Sequence, residues 1–225
     1  MKVFIVIAIF CAVASAADDY CYKDAVEACK TTNKKYTSTL NCTARYGAID
    51  AVQPELQKFA NHHFIRSFEY LLMSTHFANY EKNRAGFEKL FRSLSDSKWE
   101  EGIELIKYIT KRGGYMNFAA ISEDLALENE VDRSFELYEL AAVAKALDFE
   151  KKFALEAHEI HSEATRKSKS FHDPEISDHL EKEFVHKQRD VIRKLAGYTT
   201  DLSDLLDGPD SSLSLFLFDE YLQKA

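Results

Sequence analysis

Four long tracts that are poor in helix-breaking residues dominate the sequence and constrain the fold. Only 7 glycines and 3 prolines occur in 225 residues, which disfavours architectures built on sheets and turns. The tracts and the apolar segment after them are Ala48–Tyr80, Gly86–Arg112, Asp132–Lys167, Pro174–Leu206 and Leu213–Leu222. The pair Asp173-Pro174 is typical of a helix start. We predict an all-α four-helix bundle with a long crossover between its second and third helices and a short fifth, C-terminal helix.

The first sixteen residues have the features of a secretory signal peptide. Lys2 precedes an apolar run from Val3 to Ala14, and Ala14-Ser15-Ala16 offers the small residues that signal peptidase requires. A membrane anchor is the weaker interpretation, because the run has about 12 residues where a bilayer needs ~20. We expect residues 1–16 to be removed, and we expect the mature chain to be made in an oxidising compartment and to have no membrane partner.

The cysteines divide the remaining chain. Residues 17–46 form a cysteine-bearing N-terminal extension, and residues 47–225 form the bundle with its C-terminal helix. The extension holds Cys21, Cys29 and Cys42, an odd number where disulfides are permitted. One bridge within the chain and one to another chain is the favoured interpretation, and a free buried thiol is the alternative. The sequence does not select the pairing; our working hypothesis joins Cys21 to Cys42 and leaves Cys29 facing outward.

The balance of charges narrows the possible partners. The formal net charge is −8, from 37 acidic and 29 basic residues. Such a chain repels a polyphosphate and has no basic stripe to bind one. Nucleic acid is therefore a poor candidate partner, whereas cations are plausible.

Polar residues interrupt the apolar stripe of every predicted bundle helix near its middle. These residues are His63, Tyr70, Lys98, Glu101, Glu150 and Gln188. If they lie at one level of the bundle, they converge on a single buried polar cluster. An unpaired buried charge costs several kcal/mol, so the cluster must either be paired internally or bind metal.

Several segments, taken together and in order, resemble the ferritin family. They are Ser67–Phe77, Arg112-Gly113-Gly114, Ala146–Lys151, Asp173-Pro174 with Asp178, Glu181 and Gln188, and Leu217-Phe218-Asp219. The resemblance covers about residues 47–222. With its signal peptide and cysteine-bearing extension, the chain is similar to secretory ferritins of the insect type in their light-chain form. This resemblance implies a hollow shell of twenty-four subunits that stores ferric mineral, with the fifth helix packed around an assembly axis.

The resemblance also implies where a catalytic ferritin chain would hold its di-iron centre. The corresponding positions are His63 in place of Glu, a retained Tyr70, Lys98 and Glu101 in place of Glu-x-x-His, and retained Glu150 and Gln188. An ammonium at Lys98 repels Fe²⁺ and can pair with Glu150 across the bundle. We predict no competent ferroxidase centre. The alternative is a remnant mononuclear iron site formed by His63, Glu101 and Glu150.

Two further groups of carboxylates match positions that the family uses for iron. Asp178 and Glu181 correspond to the channel where three subunits meet, and each would form a ring of three carboxylates that attracts Fe²⁺. Asp96, Glu100 and Glu104 lie at i, i+4 and i+8 on the second helix, and the first two match positions for mineral nucleation. For both groups, an ordinary solvated helix face is the alternative.

Two other pairs have the spacing of metal ligands without the surroundings that a metal needs. Glu183 and His186 lie three residues apart, but they are not on the core-facing stripe of the helix that contains Gln188. We predict a solvated or subunit-contact role for them. His158 and His161 are also three residues apart. Without nearby carboxylates, we predict a structural role for them.

These expectations combine into one function. We expect a non-catalytic, light-chain type subunit of a secretory ferritin that stores iron as ferric mineral. We expect it to assemble with an oxidising heavy chain, and the odd cysteine offers a disulfide link to that partner. We expect the protein in the endoplasmic reticulum, the Golgi and the extracellular fluid. Two alternatives remain: a self-sufficient ferroxidase, which Lys98 and Glu101 disfavour, and a secreted helical binding protein without iron.

Overall fold

The computed structural model describes residues 21–30, 42–121, 138–166 and 172–225. The chain forms two units, Met1–Ala44 and Arg45–Ala225. In the first unit, helix α1 spans Cys21–Lys30, and a disulfide joins Cys21 to Cys42, which is the pairing of our working hypothesis. The predicted signal peptide and the side chain of Cys29 lie outside the described part of the chain.

The second unit is the four-helix bundle with its additional C-terminal helix, as predicted. Helices α2, α3 and α4 span Ile49–Ala78, Ala85–Lys111 and Glu139–Thr165. Helix α5 continues without a break through Pro174–Leu180, a π-helical turn at Glu181–Val185, and His186–Leu206. Helix α6 spans Ser211–Lys224. Within the described ranges there are no strands, and none of the helices there is both long and apolar enough to cross a membrane.

Two helix starts illustrate how local chemistry sets the boundaries. The Asp173 carboxylate accepts hydrogen bonds from the backbone N–H groups of Glu175 and Ile176, each at 3.2 Å, which confirms the predicted N-cap of α5. Helix α4 begins at Glu139, later than the predicted Asp132. The residue before it, Tyr138, has an extended backbone, and residues 132–137 lie outside the described ranges.

The bundle core has two apolar halves. One contains Ile49, Leu56, Phe59, Leu105, Ile109, Phe153 and Ile160, and the other contains Tyr70, Phe77, Phe87, Phe91, Phe149, Leu195 and Leu202. The order of these residues along α2, α3 and α4 leaves a level between the halves. Positions 63, 98 and 150 fall at that level, so the two apolar halves lie on either side of these three polar side chains.

Helix α6 is fastened to the start of α3 by a side-chain cap. The Asp219 carboxylate accepts hydrogen bonds from the backbone N–H groups of Gly86 and Phe87 at 2.9 and 3.1 Å, which satisfies donors that a helix start leaves free. Phe218 and Leu222 are buried beside it. A Cβ at position 86 would lie 2.0 Å from the Asp219 carbonyl oxygen, so this close approach requires glycine.

Candidate functional site

All six predicted polar residues meet in one network where the two apolar halves adjoin, and Tyr70 is also a member of the second half. They come from four helices: His63 and Tyr70 from α2, Lys98 and Glu101 from α3, Glu150 from α4 and Gln188 from α5. Lys98 is 1 % exposed and Glu150 is 0 % exposed. Glu101 retains a small exposed edge, with 14 % of its side chain accessible. We call these six residues the central cluster.

The Lys98 ammonium has an acceptor for each of its three N–H groups. Its Nζ lies 2.9 Å from Glu150 Oε2, 2.8 Å from Glu101 Oε2 and 3.1 Å from Gln188 Oε1. Burial alone would lower the pKa of Lys98, but the charges of Glu150 and Glu101 outweigh it and the pKa is raised. The ion pair between Lys98 and Glu150 that the sequence suggested is therefore present, and its ammonium is fully bonded.

Neutral donors satisfy the remaining oxygens of Glu150. The Tyr70 hydroxyl donates to Oε1 at 2.7 Å. The Gln188 amide donates to the Glu150 carbonyl oxygen at 2.8 Å and also to Oε2. Burial and the neighbouring Glu150 charge raise the pKa of Tyr70 well above its ordinary value. Tyr70 is consequently a donor, not an anionic ligand.

His63 takes part through both of its ring nitrogens. Its Nδ1 lies 2.7 Å from the carbonyl oxygen of Phe59, and its Nε2 lies 3.3 Å from Glu101 Oε2. Both neighbouring oxygens are hydrogen-bond acceptors, so the ring is held between them. Burial opposes the charge of Glu101, but the hydrogen bond from His63 and the charge of Lys98 outweigh it and lower its pKa to about 2. Glu101 is therefore ionised at neutral pH.

The geometry of the central cluster is that of an ionic network. The Lys98 ammonium stands between the two carboxylates and also lies 4.6 Å from the centre of the Phe153 ring. The imidazole of His63 borders the same network beside Glu101. Within residues 21–30, 42–121, 138–166 and 172–225, no three His, Cys, Asp or Glu side chains are grouped so that they could hold a metal ion.

The predicted channel residues lie on the exposed side of α5, and each has a partner. Asp178 Oδ2 is 2.8 Å from Lys182 Nζ one turn later. Glu181 Oε1 is 2.8 Å from His161 Nε2, which comes from α4. Sequence reasoning gave His161 a structural role. Its carboxylate partner lies twenty residues away in sequence, so no local pattern could have linked them.

The predicted nucleation residues are exposed on α3 and differ in their neighbours. Asp96 pairs with Arg92 at 3.1 Å and Glu104 pairs with Lys107 at 2.6 Å. A small cavity of about 160 Å³ between α3 and α5 is lined by Ser97, Glu100, Glu101, Glu104, Glu183, Phe184 and Lys187. The structure thus brings Glu100 and Glu104 together with Glu183, and leaves Asp96 outside this cavity. The sequence pattern of α3 alone could not reveal the contribution of α5.

Comparisons with known proteins agree with this architecture. The family profile described as a ferritin-like domain matches residues 54–205. The chain is 41 % identical to the ferritin light chain of Drosophila melanogaster over the full length of both proteins. It is 44 % identical to the ferritin light chain of Trichoplusia ni over 98 % of each. The crystal structure of Trichoplusia ni secreted ferritin superimposes with a TM-score of 0.82 and 43 % identity, covering 92 % of this chain and 99 % of that one.

A helical bundle of this topology with a polar centre defines the class of ferritin-like proteins. The match over most of the bundle and the full-length similarity to insect light chains place the protein more closely: the chain belongs to the ferritin family. The resemblance recognised in the sequence is confirmed.

Proposed function

We propose that this chain is a non-catalytic, light-chain type subunit of a secretory-pathway ferritin shell that stores iron as ferric mineral. The observation that carries the proposal is the Lys98 ammonium, which is bonded to both Glu101 and Glu150. In a catalytic chain, carboxylates at this level would hold iron. Here the carboxylates at this level, Glu101 and Glu150, are bonded to a permanent cation.

The energetic argument concerns the approach of Fe²⁺ to this ammonium. Two unit charges 4 Å apart interact by about 4 kcal/mol at an effective dielectric constant of 20, and a doubly charged ion beside an ammonium by about 8 kcal/mol. A metal would also have to displace bonds that Lys98 makes to Glu101 and Glu150. Both effects disfavour a di-iron centre and a mononuclear one.

The proposal assigns the oxidation of Fe²⁺ to a heavy-type partner chain in the same shell. Full-length similarity to proteins named ferritin light chain and to a secreted ferritin supports this division of roles and an extracellular or secretory location. Because Cys21 and Cys42 are bonded to each other, we assign Cys29, the third cysteine of the extension, to a disulfide with the partner chain.

The exposed carboxylates supply the remaining functions of this subunit. We assign Asp178 and Glu181 to the channel through which iron enters, where three subunits would present them as rings. We assign Glu100 and Glu104 to mineral nucleation, with Asp96 as a further surface ligand. Oxygen donors of this kind suit hard cations such as Fe³⁺.

The experiment compares iron oxidation by three preparations. Fe²⁺ and oxygen are added to shells of this chain alone, to shells co-expressed with a heavy-type chain, and to a triple variant carrying His63→Glu, Lys98→Glu and Glu101→His. We expect slow oxidation without saturation from this chain alone. The mixed shells and the triple variant should show a rapid, saturable phase.

Two controls separate the parts of the proposal. Replacing Glu101→His alone leaves Lys98 in place and should not restore activity. Non-reducing gels of mixed shells with Cys29→Ser should lose the band of the linked chains. Rapid, saturable oxidation by the unmodified chain alone would contradict the non-catalytic role.

A further inference from the structure

Lys182 places a permanent positive charge next to one of the two carboxylates that we assign to the iron channel. Its Nζ lies 2.8 Å from Asp178 Oδ2, one helical turn earlier on α5. The two side chains are largely exposed, at 64 % for Lys182 and 59 % for Asp178. An exposed ion pair between residues one turn apart adds little to the stability of a helix. Stability therefore gives no strong reason for an ammonium at this carboxylate.

The second channel carboxylate has a different kind of partner. Glu181 Oε1 lies 2.8 Å from His161 Nε2 on α4, and an imidazole is a cation only when both of its nitrogens carry protons. The ammonium of Lys182 is permanent by comparison, because the hydrogen bond and the charge of Asp178 raise its pKa further. Asp178 is thus bonded to a fixed cation, whereas Glu181 is bonded to a side chain that is neutral in one of its two protonation states.

The symmetry of a channel multiplies this difference. A threefold axis repeats every contact of one subunit three times. Where three copies of Asp178 form a ring of carboxylates, three Lys182 ammoniums lie in contact with the ring, because the two residues are bonded within each subunit. The three negative and three positive charges of this ring sum to zero. The attraction that a channel exerts on a divalent cation depends on the net charge of its lining.

We propose that Lys182 determines how strongly the iron channel of this chain attracts divalent cations, by cancelling the charge of the Asp178 ring and leaving the attraction to the Glu181 ring. Fe²⁺ then enters more slowly than the carboxylates alone would permit. The inference rests on the proposed channel role of Asp178 and Glu181, and it adds the residue that sets the charge of that channel.

The test measures the initial rate of iron uptake at low ionic strength by mixed shells of this chain and a heavy-type chain. Lys182→Gln removes the ammonium and keeps a polar side chain of similar length. Charged clefts change association rates by about tenfold or more, and from this one charge per subunit we expect uptake to be about threefold faster. The matched control is Lys151→Gln, which makes the same change in an exposed ion pair with Asp148 on α4. This control should take up iron at the rate of the unmodified chain.

Two variants of Asp178 test whether charge is the cause. Asp178→Asn leaves the ammonium without its carboxylate and should slow uptake. Asp178→Asn with Lys182→Gln returns the ring to zero net charge and should return the rate to that of the unmodified chain. All of these differences should shrink at high salt, because the screening length falls from about 10 Å at 0.1 M to about 3 Å at 1 M.

A second readout does not depend on iron oxidation. Titration calorimetry with Co²⁺ on the assembled shells measures the attraction of a divalent cation directly, and Lys182→Gln should bind Co²⁺ more tightly than Lys151→Gln. Native mass spectrometry and circular dichroism of each variant check that shell assembly and helix content are unchanged.

The possible results separate this inference from the channel role on which it rests. The inference is overturned if Lys182→Gln equals Lys151→Gln in uptake rate while Asp178→Asn with Glu181→Gln is slow, because the channel then works without control by Lys182. A faster rate that persists at 1 M salt, or a double variant of Asp178 and Lys182 that stays as slow as Asp178→Asn, also overturns it. Equal rates for all variants would overturn the channel role itself and, with it, this inference.

Discussion

Replacing Lys98→Met removes the cation of the central cluster while keeping most of the side-chain volume. Two carboxylates, Glu101 and Glu150, then lose their shared partner at 2.8 and 2.9 Å. Glu150 is completely buried, so water cannot replace the ammonium. Removing one partner of a buried ion pair costs about 3–5 kcal/mol, and we expect Lys98→Met to lose an amount in this range at neutral pH.

The stability lost in Lys98→Met should depend on pH. The direction follows from the number of protons that the folded and unfolded states bind. Without the ammonium, the folded variant holds an extra proton on one carboxylate at a pH where the unfolded chain is ionised. The folded state then binds more protons than the unfolded state, so stability falls as pH rises, by up to about 1.4 kcal/mol per pH unit for one proton. The destabilisation relative to the unmodified chain should be larger at pH 8 than at pH 5.

The assay is urea unfolding followed by tryptophan fluorescence. Trp99 is the only tryptophan in the chain, and it lies next to Lys98 with its ring 5.0 Å from that of Phe64. The control variant is Lys107→Met, which makes the same chemical change at an exposed ion pair on the same helix. Its free energy of unfolding should fall by only about 0–1 kcal/mol.

A double variant decides whether the buried charge is the cause. Lys98→Met with Glu150→Gln removes both members of the pair and keeps an amide that can accept from Tyr70. It should recover most of the stability lost in Lys98→Met, because the completely buried carboxylate is gone and the remaining one, Glu101, keeps a small exposed edge and its contact with His63. The reasoning is refuted if Lys98→Met is no less stable than Lys107→Met, or if the double variant is as unstable as the single one.

Three further predictions follow from other contacts. The pKa of Glu101 is lowered to about 2 from an ordinary 4.5, so its contribution to stability is present above pH 4.5 and lost as pH falls toward 2. Glu101→Gln should therefore reduce the fall of the melting temperature at acid pH, and an unaltered fall would argue against this contribution. Asp219→Ala removes the cap of α3 and should cost about 1–2 kcal/mol in urea unfolding, whereas no change would show the cap to be unimportant. Asp178→Asn with Glu181→Gln should slow iron uptake by mixed shells in stopped-flow measurements, with Asp201→Asn as the control, and equal rates would contradict the channel role.

Helix content and order were predictable because they depend on local signals. Scarce glycine and proline, together with apolar stripes, defined four long helices, and Asp173-Pro174 located the start of α5. The start of α4 was not predictable in this way. Residues from Asp132 onward continue a helical pattern in the sequence, yet the extended backbone of Tyr138 sets the boundary, and tertiary context outweighs propensity at such ends.

Convergence of the central cluster was predictable because a charge in a core-facing stripe must find a partner. Lys98 and Glu150 were therefore expected to meet. The contacts between exposed groups were different. His161 on α4 contacts Glu181 on α5, and Glu183 on α5 lines one cavity with carboxylates of α3. These positions depend on how each helix is rotated about its axis, which the apolar stripes do not specify.

The distribution of charge fits the proposed subunit, which would lack an oxidation centre and still favour iron. In the central cluster, the Lys98 ammonium is bonded to both Glu101 and Glu150, so these carboxylates are not free to bind a further cation. Most of the excess of acidic residues, which gives the chain a net charge of −8, lies elsewhere. Part of it lies at the exposed carboxylates of α3 and α5, where a hydrated cation can approach without the desolvation that the buried level would demand.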